Sequence, residues 1–409
     1  MGHIYSIFIH LYGWLIYIAS FFSSKAKLLY QGQKNTLWLT ENSIEKNQRY
    51  IWVHASSLGE FEQGRPIIEA IKQHYPAYKI VLSFFSPSGY EIRKDYALAD
   101  YVCYLALDTK KNAVKFIELV QPVKAIFIKY EFWPNYLQVL HAKKIETYIV
   151  SAIFRKEQVF FAWYGGWYKK LLYNFSHIFV QDQASYDLLT KHNIVAKSIA
   201  GDTRFDRVAS IASEPQHLPI LEAFKQDKKL IILGSSWEPD EHLLLEYLET
   251  QDCKFAIAPH HIEPERIQSL LKKIGKQTVL YSQTTPDDVK YADCLIINTI
   301  GILSSVYRYA DIAYIGGGFG VGIHNILEAA VYGIPVVFGP NYHKFKEAID
   351  LVAEGGAFTI KEYSEVEILF NKLLSDKEYY TATATKSAKF VQERVGATPL
   401  IMEQIFERI

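Results

Sequence analysis

Cysteine is scarce in this sequence. Its three residues, Cys103, Cys253 and Cys294, show no CxxC spacing and fall in or beside apolar runs. That pattern excludes a disulfide framework and a thiolate zinc site, and it suits buried thiols in a reducing compartment. An excess of charge of one sign is also missing. Lys plus Arg and Asp plus Glu number 44 each, so no global field draws the protein to nucleic acid and any basic surface is local. From Ile4 to Phe22 there is no Asp, Glu, Lys or Arg at all, and the segment is rich in Ile, Leu, Phe, Tyr and Trp. As a helix it reaches about 28 Å, enough to span or nearly span a bilayer. It carries no basic n-region or small-residue cleavage site, and Lys25 and Lys27 follow it directly. Those lysines would hold its C-terminal end, and the body of the protein, on the cytoplasmic side. His10, Gly13 and the tyrosines support a shallower interfacial anchor as a second reading. A buried globular helix is the third.

What is present is enough apolar material, 49% of 409 residues, for two cores of ordinary domain size. After a polar stretch from Gln31 to Arg49, short apolar runs alternate with helical periodicity. The predicted strands are Ile51 to Val53, Ile80 to Phe84, Ala125 to Ile128, Thr147 to Val150 and Ile178 to Val180. Helical patterns fall between them in Phe61 to His74, Lys111 to Val120, Tyr136 to Lys143 and Ser185 to Lys191. The pattern pauses at Ile211 to Pro219, a linker candidate with two prolines, and then restarts. Leu230 to Leu233, Phe255 to Ala258, Thr278 to Tyr281, Cys294 to Ile297, Ile312 to Ile315 and Val336 to Phe338 form the second set. The expected architecture is α/β: two Rossmann-like doubly wound domains facing a cleft, with ligands at the C-terminal ends of the strands. The divisions are 1–25 as anchor, 26–210 as the N-terminal domain, 211–375 as the C-terminal domain, and 376–409 as helices that pack back across both.

The loops at the strand ends carry the chemistry. Residues 316–330 read Gly-Gly-Gly-Phe-Gly-Val-Gly-Ile-His-Asn-Ile-Leu-Glu-Ala-Ala and lead from a strand into a helix expected over Asn325 to Tyr332. Backbone N–H groups at Gly317 and Gly318, the helix N-terminus, His324 as donor and Asn325 as N-cap make an anion site, with Glu328 one turn further in for ribose hydroxyls. The alternative is a glycine turn that only connects strand to helix. In the first half, His54-Ala55-Ser56-Ser57-Leu58-Gly59-Glu60 ends a strand. Glu60 there can act as a general base, or as a first-turn glutamate it can simply complement the helix dipole. Glu131, in Lys129-Tyr130-Glu131-Phe132-Trp133-Pro134-Asn135, can orient Glu60, bind acceptor or pair with Lys129. Ser235 and Ser236 can donate to a phosphate or carboxylate. Pro259-His260-His261 suits anion or base contact better than zinc, since adjacent histidines seldom chelate one metal. Asp287-Asp288 is no convincing metal pair, and metal-independent chemistry is expected, with no cofactor. The run from Phe160 to Lys170 places Trp163 and Trp167 beside Lys169 and Lys170, as membrane-interface segments do; packing into the first domain is the alternative.

Taken together, Ser56-Ser57-Leu58-Gly59-Glu60, Glu131-Phe132-Trp133-Pro134-Asn135, Gly201-Asp202-Thr203-Arg204-Phe205-Asp206, Pro259-His260-His261 and Gly322-Ile323-His324-Asn325-Ile326-Leu327-Glu328-Ala329-Ala330 resemble the 3-deoxy-D-manno-octulosonic acid (Kdo) transferases. The match runs in order across nearly the whole chain. The resemblance implies a GT-B glycosyltransferase that uses CMP-Kdo and adds Kdo to the lipid A precursor at the cytoplasmic face of a Gram-negative inner membrane. It implies Glu60 as base, with Ser57 and Gly59 of the same loop on the acceptor side, Glu131 as its second carboxylate, and His324, Asn325 and Glu328 as donor contacts. Many members have Pro-Arg-His where this chain has Pro259-His260-His261, and Arg204, in a slot where lysine is common, is the expected compensation. The reaction expected is an inverting displacement in which the phosphate leaves onto the Gly316 to Asn325 loop. Two rivals share parts of this pattern: a GT-B enzyme or epimerase using a UDP- or GDP-sugar, and a non-catalytic membrane-tethered nucleotide-binding protein.

Overall fold

The computed structural model describes residues 2–320 and 322–407; Val321 of the glycine loop and the last two residues of the C-terminal run lie outside the described residues. The chain divides into one unit of Met1–Asp206 with Gly396–Ile409 and a second of Arg207–Val395.

In the first unit, β1 (Tyr50–Ala55), β2 (Lys79–Phe84), β3 (Tyr101–Tyr104), β4 (Lys124–Ile128), β5 (Glu146–Ala152), β6 (His177–Val180) and β7 (Lys197–Ile199) form one sheet in the order β3-β2-β1-β4-β5-β6-β7. Every pairing is parallel. Helices cover both faces, which is why β1 is buried at every position and reads as an apolar run instead of an alternation. Trp52, Phe116, Phe127 and Leu137 build the core on one face. Val53, Phe61, Ile67, Ile68 and Ile126 build it on the other, joined by Ile401, Met402 and Ile405. Those last three come from the helix Ala397–Phe406, whose start is fixed by Asp206: its carboxylate accepts from the N–H groups of Gly396 and Thr398, both at 2.6 Å. The C-terminal run expected over Asp376 to Ile409 is thus two helices, Lys377–Gln392 in the second unit and Ala397–Phe406 in the first.

The second unit holds β8 (Leu230–Ser236), β9 (Lys254–Pro259), β10 (Thr278–Leu280), β11 (Cys294–Ile296), β12 (Ile312–Ile315), β13 (Val336–Phe338) and β14 (Ala357–Thr359), again all parallel, in the order β10-β11-β9-β8-β12-β13-β14. In each sheet the direction of winding reverses beside the unit's first strand, between β1 and β4 and between β8 and β12. Loops leaving the carboxyl ends of those four strands therefore diverge and leave room for a ligand.

The structure corrects four expectations. β3, β7 and β14 are absent from the predicted set; all three are edge strands of three or four residues. The polar stretch after Gln31 is helical up to Ser43, within a helix Ser24–Ser43. The linker candidate begins inside the helix Thr203–Ser213, and Pro219 opens another at its first position, where a missing N–H costs nothing. The membrane-spanning reading of Ile4 to Phe22 fails: the helix is Gly2–Ala19, and among the described residues no helix is long and apolar enough to cross a membrane. Its Ile9 and Ile16 are buried, and Tyr5 donates to the buried Asp108 at 2.7 Å. Ile7, Phe8, Trp14 and Leu15 on the same helix are exposed.

Candidate active site

The loops after β1 and β4 flank the first reversal point, and each delivers a carboxylate. Glu60 sits in the first turn of the helix Leu58–His74, where it accepts the Ser56 N–H at 2.6 Å, so the helix-terminal role foreseen for it is real. The capping position, Ser57, makes no side-chain cap bond. Burial pushes the Glu60 carboxyl up to about 8, and the Glu131 charge adds to that; the N–H groups of Ser56 and Ser57 and the Lys129 ammonium pull the other way. A first-turn glutamate that only complemented the dipole would move down, not up. A Cβ on Gly59 would meet nothing within 4 Å, so packing does not demand that glycine, and the first turn is left uncovered.

Glu131 is buried. Its Oε2 accepts the Trp133 indole N–H at 2.6 Å and lies 3.0 Å from His54 Nε2. Lys129, between β4 and Glu131, takes a left-handed φ of 64°, which turns the chain sharply as it leaves the sheet. The Tyr130 phenol is raised by burial first; Glu60 and Asp182 add to the rise, and Arg155 and Arg204 oppose it. Side chains from the ends of β1, β4, β5, β6 and β7 thus share one electrostatic neighbourhood at the carboxyl edge of the sheet. Arg204, expected at the donor, belongs to this first unit: its guanidinium is held by the buried Asp202 at 2.7 Å. His54, Tyr130, Arg155 and Asp182 had no individual role in the sequence reading. Their one signal is position, just at or after a strand end.

The aromatic run divides. Phe160, Leu171 and Leu172 are core, Trp167 is half-buried against Tyr5 at a ring distance of 5.9 Å, and Lys169 is half-buried. Trp163, 95% exposed, stands out with Tyr164 and Lys170.

In the second unit the loops after β8 and β12 flank the reversal point. Their hub is Asp240, fully buried, which accepts from the N–H groups of Trp237 and Gly317 (both 2.9 Å) and from the Tyr314 hydroxyl (2.8 Å). The Gly317 N–H expected to meet a phosphate is therefore already spoken for. A Cβ on Gly318 would come within 2.5 Å of the Gly339 backbone, and Gly317 has φ 92°; close chain approach explains these glycines without a ligand. The helix expected over Asn325 to Tyr332 is a single turn, Leu327–Ala330, too few peptides to sum a strong dipole. The capping position is Ile326, not Asn325 as expected; Asn325, one residue earlier, accepts the Leu327 N–H at 3.2 Å and donates to Glu328 at 3.0 Å. Ser236 is buried and its hydroxyl donates to Glu241 at 2.8 Å, with Arg266 on the other carboxylate oxygen, so its proton is not available to a ligand; Ser235 precedes it at φ 52° where β8 bulges against β9.

What this unit does assemble is a stack of rings. Trp237 lies on His260 at 4.6 Å and 19°, and His260 lies on His324 at 4.6 Å and 27°. His261 stands edge-on to Trp237, and Pro259 ends β9 beneath them. The Trp237 indole N–H, a donor only, reaches His324 Nε2 at 3.1 Å. Burial, then His260, pushes His324 down to about 4. His324 is therefore neutral near pH 7 with its proton on Nδ1, a fixed neutral donor. Among the described residues no group of three or more His, Cys, Asp or Glu side chains is arranged to hold a metal ion.

The two doubly wound units share their fold with solved nucleotide-sugar enzymes. The UDP-GlcNAc 2-epimerase of Neisseria meningitidis superposes with a TM-score of 0.61 at 18% identity, covering 88% of this chain and 100% of the other. The fold is GT-B-like. Residues 31–207 match the family model described as 3-Deoxy-D-manno-octulosonic-acid transferase (kdotransferase). The 3-deoxy-D-manno-octulosonic acid transferase of Aquifex aeolicus is 26% identical over 83% of this chain and 90% of its own length, and that of Rickettsia bellii is 26% identical over 81% and 80%. The chain is a glycosyltransferase, and over most of its length it resembles the Kdo transferases.

Proposed function

We propose that the protein moves Kdo from CMP-Kdo to the lipid A precursor in lipopolysaccharide biosynthesis, by an inverting displacement with Glu60 as general base. The observation that carries the assignment of the base is a carboxyl at a reversal point of the sheet, pushed up to about 8 by burial and by Glu131. Such a group accepts a proton near neutral pH far more readily than an ordinary glutamate. Glu60 takes the proton of the acceptor hydroxyl as that oxygen attacks the anomeric carbon, and the CMP phosphate departs from the opposite face. The ring stack of Trp237, His260 and His324 takes the nucleotide, with His324 Nδ1–H as a neutral donor. Transfer is proposed to run without a metal or cofactor. The exposed side chains of Gly2–Ala19, together with Trp163 and Lys170, make an interfacial contact with the cytoplasmic face of the inner membrane, where the lipid acceptor lies.

The test is incubation of purified protein with freshly generated CMP-Kdo and tetraacylated lipid A precursor, following the lipid by mass spectrometry for wild type and Glu60→Gln. A Kdo mass increment with wild type that disappears with the variant supports donor, acceptor and base together. An active Glu60→Gln removes Glu60 as base, and intact CMP-Kdo with wild type removes the donor reading.

A further inference from the structure

Beneath Glu131 runs a buried chain of hydrogen bonds that the proposed chemistry does not use. Trp52 and His54 lie two residues apart on β1 and so point to the same face, and Ser83 is the register partner of His54 on β2. Trp52, His54 and Ser83 are all fully buried. The Trp52 indole N–H donates to Ser83 Oγ at 2.7 Å, and Ser83 Oγ lies 2.8 Å from His54 Nδ1. On the other side of the ring, Nε2 lies 3.0 Å from Glu131 Oε2.

The proton positions follow from the donor inventory. Indole N–H groups only donate, so Ser83 Oγ accepts from Trp52 and has its own proton to give to His54 Nδ1; the Ser83 carbonyl oxygen, which only accepts, also lies 3.1 Å from Nδ1. The Trp133 indole N–H lies 2.6 Å from Glu131 Oε2 and 3.0 Å from His54 Nε2, so the carboxylate takes it. A bare Nε2 lone pair facing a buried carboxylate oxygen at 3.0 Å would leave two acceptors in contact without a proton between them. Of the two acceptors that face the ring, the carboxylate is the stronger, and Nδ1 has the Ser83 hydroxyl at 2.8 Å as a donor, so the proton is assigned to Nε2. We propose that His54 is a positioning residue for Kdo transfer: oriented by Ser83 and Trp52, it presents Nε2–H to Glu131 and so fixes the place of that carboxylate beside Glu60. The inference rests on Glu60 as the base. The groups that bear on Glu60 are Glu131 and Lys129 from the β4 loop, the Tyr130 phenol, and the N–H groups of Ser56 and Ser57.

Without the Nε2–H, Glu131 loses one of its two donors and is no longer held beside Glu60, which weakens its field on Glu60. Glu60 then ionises at lower pH. The experiment is the pH profile of kcat and KM for CMP-Kdo in wild type, His54→Phe, His54→Gln, Ser83→Ala and Glu60→Gln, with 15N NMR of the histidine rings, His54 being assigned by its loss in His54→Gln. Expected for His54→Phe is a fall in kcat of roughly 10–100-fold with donor KM unchanged, the magnitude seen when a residue supporting a site is lost. The rising limb of its profile should move to the acid side of its wild-type position near pH 8. His54→Gln, whose side-chain amide can donate in place of Nε2–H, should restore the limb and most of the rate, and Ser83→Ala should shift it in the same direction by less. The wild-type spectrum should show the His54 proton on Nε2. If Phe and Gln lose rate alike with the limb unmoved, or if the proton lies on Nδ1, the proposal is overturned. Should His54→Phe not fold, Ser83→Ala and the wild-type spectrum decide the question. An active Glu60→Gln would sink the base assignment instead, while the tautomer would still be read.

Discussion

The two reversal points use one device to opposite ends. In each, an indole N–H from the loop after a strand approaches a histidine Nε2: Trp133 to His54 in the first unit, Trp237 to His324 in the second, at 3.0 and 3.1 Å. In the first unit a carboxylate, Glu131, sits in that contact and accepts the indole N–H hydrogen bond, and its charge raises a second carboxyl nearby. In the second no carboxylate intervenes. The imidazole accepts the indole proton directly, is driven neutral by burial and stacks with its neighbours. One extra carboxylate separates a site suited to taking a proton from one suited to holding a planar base and an anion.

The largest effect expected from breaking this contrast is at Glu60. Glu60→Gln should cut the transfer rate by about 10²–10⁴-fold, the usual worth of a general base, measured under saturating donor and acceptor. The same variant reports on stability. The folded carboxyl keeps its proton up to about pH 8, whereas an unfolded glutamate releases it near 4.5, so wild-type stability falls as pH rises through that window. Glutamine has no such dependence. The Tm of Glu60→Gln relative to wild type should therefore climb between pH 5 and pH 8, and a constant difference would show that Glu60 is not raised.

Removing the intervening carboxylate should make the first site resemble the second. Glu131→Gln deletes a like charge beside Glu60, so the rising limb of kcat/KM, near pH 8 in wild type, should move to lower pH. A limb that stays in place would mean that burial alone sets it. On the other side of the comparison, His324→Ala should weaken CMP binding by about tenfold or more, the worth of one hydrogen bond to a charged group. Because His324 is held down to about 4, CMP affinity should show no titration of this residue between pH 5.5 and 8, as calorimetry can test. Smallest is Trp163→Ser. At 95% exposure it should leave Tm unchanged and reduce partitioning onto anionic vesicles only modestly.

Much of this was legible from residue order. The central strands of both sheets, the two carboxylates at strand ends and the His324-Asn325 turn all lie where apolar runs and loop chemistry indicated. The misreadings have a common cause. β3, β7 and β14 are short strands recognised only by their pairing at a sheet edge, and the Gly316–Gly318 run looks the same whether it admits a phosphate or, as at Gly318, another stretch of backbone. Ser236 and Gly317 each had hydrogen to give, but Glu241 and Asp240 take it, and nothing in their spacing says so. The charge-free N-terminal segment has the length of a span, but its helix ends at Ala19 with Ile9 and Ile16 buried.

The sequence by itself determined two α/β halves, the loops that carry acid and imidazole groups, and an apolar N-terminal helix, because hydrophobic period, turn chemistry and charge are properties of neighbouring residues. Only the tertiary structure decided that Glu60 and Glu131, 71 positions apart by their numbers, share one site, and that Ser83 reaches His54 from the adjacent strand. Those juxtapositions depend on β4 lying beside β1 and on the parallel register of β2, which bring distant residues to one edge of a sheet. The shifted carboxyl and the fixed imidazole follow from the burial and the fields created there.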